Sequence, residues 1–323
     1  MPPLKVLPGW LALGLAGVGG VASATQSAAN AALGAQVGSA PLGALANNVT
    51  GCLVVLAGLV AMPSMRTGLA ALRRSGLPWW AYLGGLGGAF FVAAAAYAVP
   101  VIGVAVYTIA QVTGASIGGL ATDRLGLAPA GRLPVSAPRL AGAALAVGAV
   151  GLAQIGRPIG NLALGFLALA VVAGIGVALQ SALNGRVAVS STPAAATCVN
   201  FMVSTPVLIG LAAGTGGFTT GWPQAWPPRW YLYVGGPLGV LIVTILVLAV
   251  RAVGVLRTNL AIIGGQLAGA LLLDAAIPGG AAPSAAVAAG AVLTVVAVAV
   301  SGLHRRPRLP VPPPQPSRRA PHD

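Results

Sequence analysis

Residues 20–33 read GVASATQSAANAAL, and the middle of the chain repeats them as GIGVALQSALNGRV at residues 174–187. Gly20 matches Gly174, Gln26 matches Gln180, Ser27 matches Ser181 and Asn30 matches Asn184. The correspondence continues outward at a near-constant spacing. Pro41 pairs with Pro193, Asn48 with Asn200, and Tyr82, Gly84 and Gly85 with Tyr233, Gly235 and Gly236. Gly103 then pairs with Gly254, and Asp123 with Asp274. The spacing drifts by only a few residues along the whole repeat, a difference that loops absorb. The chain therefore divides into an N-terminal segment 1–8, a first repeat 9–157, a second repeat 158–303 and a tail 304–323.

The repeated unit is built for lipid. The 323 residues are 57% hydrophobic and 6% charged, whereas a soluble domain carries about 25% charged residues to wet its surface. Glycine occurs 47 times, near twice its usual share of about 7%, which suits helices whose backbones approach closely in a bilayer. Apolar runs near the length of a spanning helix fall at 10–33, 41–62, 79–98, 101–121, 140–155, 161–183, 193–213, 231–250, 258–273 and 282–303. The expected fold is all-α, a polytopic transmembrane bundle of about ten spans in two halves of about five each. An odd number of spans per half makes the second repeat enter the membrane from the opposite face, so the repeats are expected to be inverted. Lys5, the first apolar run and Ala22-Ser23-Ala24 imitate a cleavable signal peptide. Recurrence of the same pattern in mid-chain argues against that reading.

Charge placement gives the orientation. With the N-terminus inside, all of the 17 Lys and Arg residues except Arg157 and Arg229 fall in inner segments, as retention of positive loops in the cytoplasm requires. Both termini are expected to be cytoplasmic. The six tryptophans, Trp10, Trp79, Trp80, Trp222, Trp226 and Trp230, sit at or beyond run ends, where amphipathic rings prefer the headgroup zone. The net charge of +14 does not indicate nucleic acid, because the basic residues are scattered among short gaps without interleaved aromatics for stacking bases. From His304 the chain is rich in Pro and Arg and too poor in apolar side chains to order. It is read as a disordered cytoplasmic tail able to touch anionic lipid headgroups.

Few residues are left to carry chemistry. Gln26 and Asn30 are four apart and share a helix face, and Gln180 and Asn184 repeat the arrangement. Such amides offer donors and acceptors without fixed charge, suited to a polar or zwitterionic solute or to hydrogen bonds between helices. Both uses stay open. Asn47, Asn48 and Asn200 are further candidates. There is no Glu, and Asp323 is the last residue, so only Asp123 and Asp274 can serve the membrane part. They close apolar runs on opposite sides, as helix-end charges or as coupling groups. Proton relays usually lie deeper in the bilayer, which favours the former. Cys52 and Cys198 lie within apolar runs and suggest neither disulfide nor metal. The sole lysine, Lys5, excludes a P-loop, and no Ser-His-Asp set or metal cluster is available in the spans. No enzyme and no cofactor is expected.

The repeated Gln-Ser-x-x-Asn element, the Trp-Trp-x-Tyr-x-Gly-Gly motif at 79–85 and the Asp-Arg-x-Gly end at 123–126 resemble the drug/metabolite transporter superfamily. The likeness is to its YdcZ-like (DUF606) inner-membrane family in tandem-fused form, and it covers nearly all of residues 9–303. In that family a Gly-Gln pair tends to precede the Asp. It is present as Gly265-Gln266 but replaced by Gly114-Ala115 in the first half, which makes Gln266 a one-sided candidate for substrate binding. The resemblance implies a secondary carrier of the bacterial inner membrane, an exporter of a small metabolite or drug by alternating access. A non-transporting membrane subunit on the same fold is the competing reading. A small-molecule substrate and anionic headgroups at the cytoplasmic face are the expected partners, and a homodimer is left open.

Overall fold

The computed structural model describes residues 8–129, 131–132, 134–156, 161–219, 222–253, 255–276 and 284–301. The expectations attached to Lys5, Arg157, Gly254 and the tail 304–323 concern residues outside this set. Among the described residues every regular element is helical. In chain order these are α1 (Gly9–Gln36), α2 (Ala40–Ala61), α3 (Pro63–Leu72), α4 (Gly84–Ile102), α5 (Val104–Leu125) and α6 (Ala137–Ala153). The second half follows as α7 (Asn161–Val189), α8 (Pro193–Gly214), α9 (Gly235–Val253), α10 (Val255–Ala276) and α11 (Ala285–Ser301).

Each of the expected spans coincides with a helix, but six are long and apolar enough to cross a membrane by length and composition. These six are α2, α4 with the 3-10 turn Trp79–Leu83 before it, α5, α7, α8 and α10. The helices α6 and α11 and the Gly235–Ile245 part of α9 are apolar but shorter. Missing from the six is α1, although it is 28 residues long. Ser23, Thr25, Gln26, Ser27 and Asn30 interrupt its apolar surface. Large apolar side chains such as Leu53, Leu56, Leu272 and Val292 point outward, where lipid would cover them.

Helix ends follow local chemistry. Ser39 caps α2 by accepting the Leu42 N–H, and Thr192 caps α8 by accepting that of Ala195. The repeated Pro41 and Pro193 stand in the first turns of these helices, where a missing N–H costs nothing. The short helix α3 was not anticipated. Pro63 starts it, and the Arg66 guanidinium folds back on the Leu59 and Val60 carbonyls that end α2.

Packing follows the repeat. The close pair α1 with α10 is matched by α7 with α5, α1 with α9 by α7 with α4, and α2 with α9 by α8 with α4. Helices α2 and α8 meet each other, as do α6 and α11. Glycine makes the tightest crossings. A Cβ on Gly20 would lie 2.0 Å from the Ile262 carbonyl oxygen of α10, and one on its repeat mate Gly174 would lie 1.9 Å from that of Gln111 in α5. The largest break in the relation among the described residues is that α1 packs on α4, yet no comparable contact joins α7 to α9.

Candidate functional site

Helices α1, α2, α4, α7, α8 and α9 surround a cavity of about 350 Å³, within the range of small-molecule sites. It reaches from Asn30, Asn47 and Gly235 to Ala188 and Pro193 at the turn between α7 and α8. Its polar wall carries Gln26, Asn30, Asn47 and Asn48 from the first repeat and Gln180, Asn184 and Asn200 from the second. Phe91, Val92, Phe201 and Ile242 supply apolar surface. Among the described residues no Asp, Glu, Lys, Arg or His lines it.

The four-residue spacing brings Gln26 and Asn30, and Gln180 and Asn184, onto this wall, one pair per repeat. In the second repeat the amides bond to one another. The Gln180 Nε2 and the Asn184 Nδ2 both donate to the Asn200 Oδ1, at 2.9 Å each. In the first repeat Asn48 faces α8 instead. Its Nδ2 donates to the Thr205 hydroxyl at 2.7 Å, and its Oδ1 accepts from Ser204 at 3.1 Å. Asn30 is 0% exposed, and neither its Oδ1 nor its Nδ2 has a hydrogen-bond partner among the described residues.

Both Gly-Gly motifs serve these amides. They begin α4 and α9, and a Cβ on Gly84 would lie 2.3 Å from the Asn184 Oδ1, one on Gly235 2.6 Å from the Asn30 Oδ1. Only a helix start without side chains lets the asparagines sit against it. Asn47 is tied to the same place, its Nδ2 donating to the Leu232 carbonyl at 3.0 Å and its Oδ1 accepting the Gly235 N–H at 2.9 Å. That pair of bonds makes Asn47 a clasp between α2 and the start of α9.

The remaining candidates lie elsewhere. Gln266 is absent from the cavity wall. It is buried between α10 and α5, where its Nε2 donates to the Gln111 Oε1 at 3.2 Å. Asp274 accepts the backbone N–H groups of Val104 and Ala105, at 2.8 Å each, and so caps the start of α5. Asp123 forms an ion pair with Arg139 near the start of α6. Sequence reading missed Ser204, Thr205 and Gln111. Ser204 stands four residues after Asn200, the same one-face spacing that marked Gln26 and Asn30, so a signal for it was present. Arg186 was read only as a topology charge. It donates to the carbonyl of Leu127 at 2.6 Å and to that of Gly126 at the end of α5, and stacks 5.1 Å from the Trp80 ring.

Comparison with known proteins agrees with the repeat. Residues 11–152 and 165–300 each match the family model described as "Putative inner membrane exporter, YdcZ". One solved structure, described in print only as "Crystal structure of protein", is similar over 91% of this chain and 96% of its own, with a TM-score of 0.51 and 22% identity. At that identity the likeness concerns the fold alone. No curated protein matches.

Proposed function

Because the chain belongs to the YdcZ family of drug/metabolite transporters, with the family unit present twice in tandem, we propose that it is a secondary carrier exporting a small uncharged polar or amphipathic solute. The family is one of inner-membrane exporters, and helices able to span a bilayer fit that location. We read the two units as inverted repeats of about five spans, with both termini in the cytoplasm.

The observation that carries the proposal is the cavity wall, whose amides come in repeat-related sets from both halves. A scaffold has no need to line one central void with equivalent polar groups from two halves. A carrier does, because a solute held at the repeat interface can be released to either side when the halves exchange conformations. The packing asymmetry supports this: α1 is closed on α4 while α7 stands apart from α9. In the exchanged state α7 packs on α9 and α1 parts from α4.

A growth screen under overproduction, against a panel of metabolites and drugs, identifies the exported solute. Flux is then measured in vesicles containing the purified chain. Gln26→Ala or Gln180→Ala is expected to abolish that flux with expression and gel-filtration profile unchanged. Flux at the parental rate in both variants would leave these residues as interhelical contacts and remove the cavity from the transport path.

A further inference from the structure

Among the described residues the repeated Gln/Asn pair is hydrogen-bonded in the second half and without partners in the first. Asn200 closes the second-repeat set by accepting from both Gln180 and Asn184. Its repeat mate Asn48 makes no such bond, being engaged with Ser204 and Thr205. Gln26 has no hydrogen-bond partner among the described residues, and Asn30 has none for either amide atom although it is wholly buried. A buried carboxamide with no protein partner disfavours the fold unless another group bonds to it. This one lies on the wall of the cavity.

Resting on the carrier reading, we propose that Asn30, with Gln26 one turn before it, is the recognition half-site of the cavity, engaged when its carboxamide turns from the start of α9 to the solute. It takes an uncharged solute that presents a hydrogen-bond donor and acceptor side by side, as a primary amide, a lactam or a nucleobase edge does. The fit is chemical. A carboxamide has one donor group and one acceptor in a plane, so it pairs with such an edge through two parallel bonds: its Nδ2–H to the solute carbonyl, and the solute N–H to its Oδ1. A carboxylate or ammonium would be stranded, since the lining offers no opposite charge among the described residues and an unpaired ion in an apolar site is disfavoured far more than a neutral polar group. Phe91, Val92, Phe201 and Ile242 then cover the apolar body of the solute.

The test uses the full chain in lipid nanodiscs and reads equilibrium binding and thermal stability rather than transport. The probes are benzamide and uracil, which carry the paired edge, and N,N-dimethylbenzamide, benzoate and benzylammonium, which lack it or are charged. Benzamide or uracil is expected to bind at least about tenfold more tightly than the other three, and Asn30→Leu and Asn30→Thr are each expected to remove that preference. The threonine hydroxyl can bond within its own helix, so that variant keeps a polar atom without the carboxamide. Asn30→Leu is expected to raise Tm, because it replaces an unpartnered amide by an apolar group of similar volume. Asn184→Leu is expected to lower it, because its bond to Asn200 is lost. The proposal is overturned if neither benzamide nor uracil outbinds the blocked and charged probes, or if Asn30→Leu lowers Tm as Asn184→Leu does. Binding of the expected pattern in a protein that moves no solute sinks the carrier and leaves the site; flux unaltered by Asn30→Leu does the opposite.

Discussion

Asp274 illustrates how a membrane-end charge works. Its two carboxylate oxygens each hold one backbone N–H at the start of α5, groups that a helix start otherwise leaves without partners. Asp274→Asn keeps the shape but offers one accepting oxygen, so one N–H is abandoned. The expected loss is about 1–3 kcal/mol, read as a lower temperature at which the detergent-solubilised protein loses its gel-filtration peak; an unchanged temperature would show that the cap contributes nothing. Legibility at this scale was uneven. The positions of Gln26, Asn30, Gln180 and Asn184 on one wall followed from helical periodicity, which is local. The partners of Asn48 did not, because Thr205 is 157 residues away and interhelical register is fixed by packing. Gln266 was singled out through family likeness, yet its neighbour is Gln111, a residue that nothing in the repeat pattern marked.

Helix crossings are set by glycine where two backbones meet. A Cβ on Gly114 would lie 1.9 Å from the Val171 carbonyl oxygen, forcing α5 and α7 apart, whereas Gly119 of the same helix has nothing within 4 Å. Gly114→Ala is therefore expected to destabilise by about 1–3 kcal/mol or more. Gly119→Ala is expected to be neutral or to stabilise by up to about 1 kcal/mol, since alanine is the better helix former. Thermal unfolding of the two variants side by side decides the matter, and equal effects would mean that the crossing is looser than described. The helices themselves were legible from run length and hydropathy. The exception is α3, a run of 10 residues with too little apolar surface to register as a span. Its start depends on Pro63 and on Arg66 reaching back to carbonyls of α2, a contact that hydropathy does not encode.

The whole molecule rests on two related halves, visible in sequence because Gly20, Gln26 and Asn30 recur as Gly174, Gln180 and Asn184. Relative orientation in the bilayer is tested by single cysteines labelled from one side of intact cells in a cysteine-free background. Position 38, after α1, is expected to be reached from outside, and position 191, after α7, only after permeabilisation. Labelling of both from the same face would remove the inverted arrangement and with it the exchange of conformations. The break in packing between α7 and α9 was not legible in the sequence, since a repeat predicts equivalent contacts in the two halves and packing alone decides where they differ. The charge-free lining has a last consequence. A voltage difference exerts force only on charge that shifts through the electric field. In the carrier proposed above, a neutral solute held by a lining that brings no charge does no electrical work in crossing, and its own concentration ratio can drive its export.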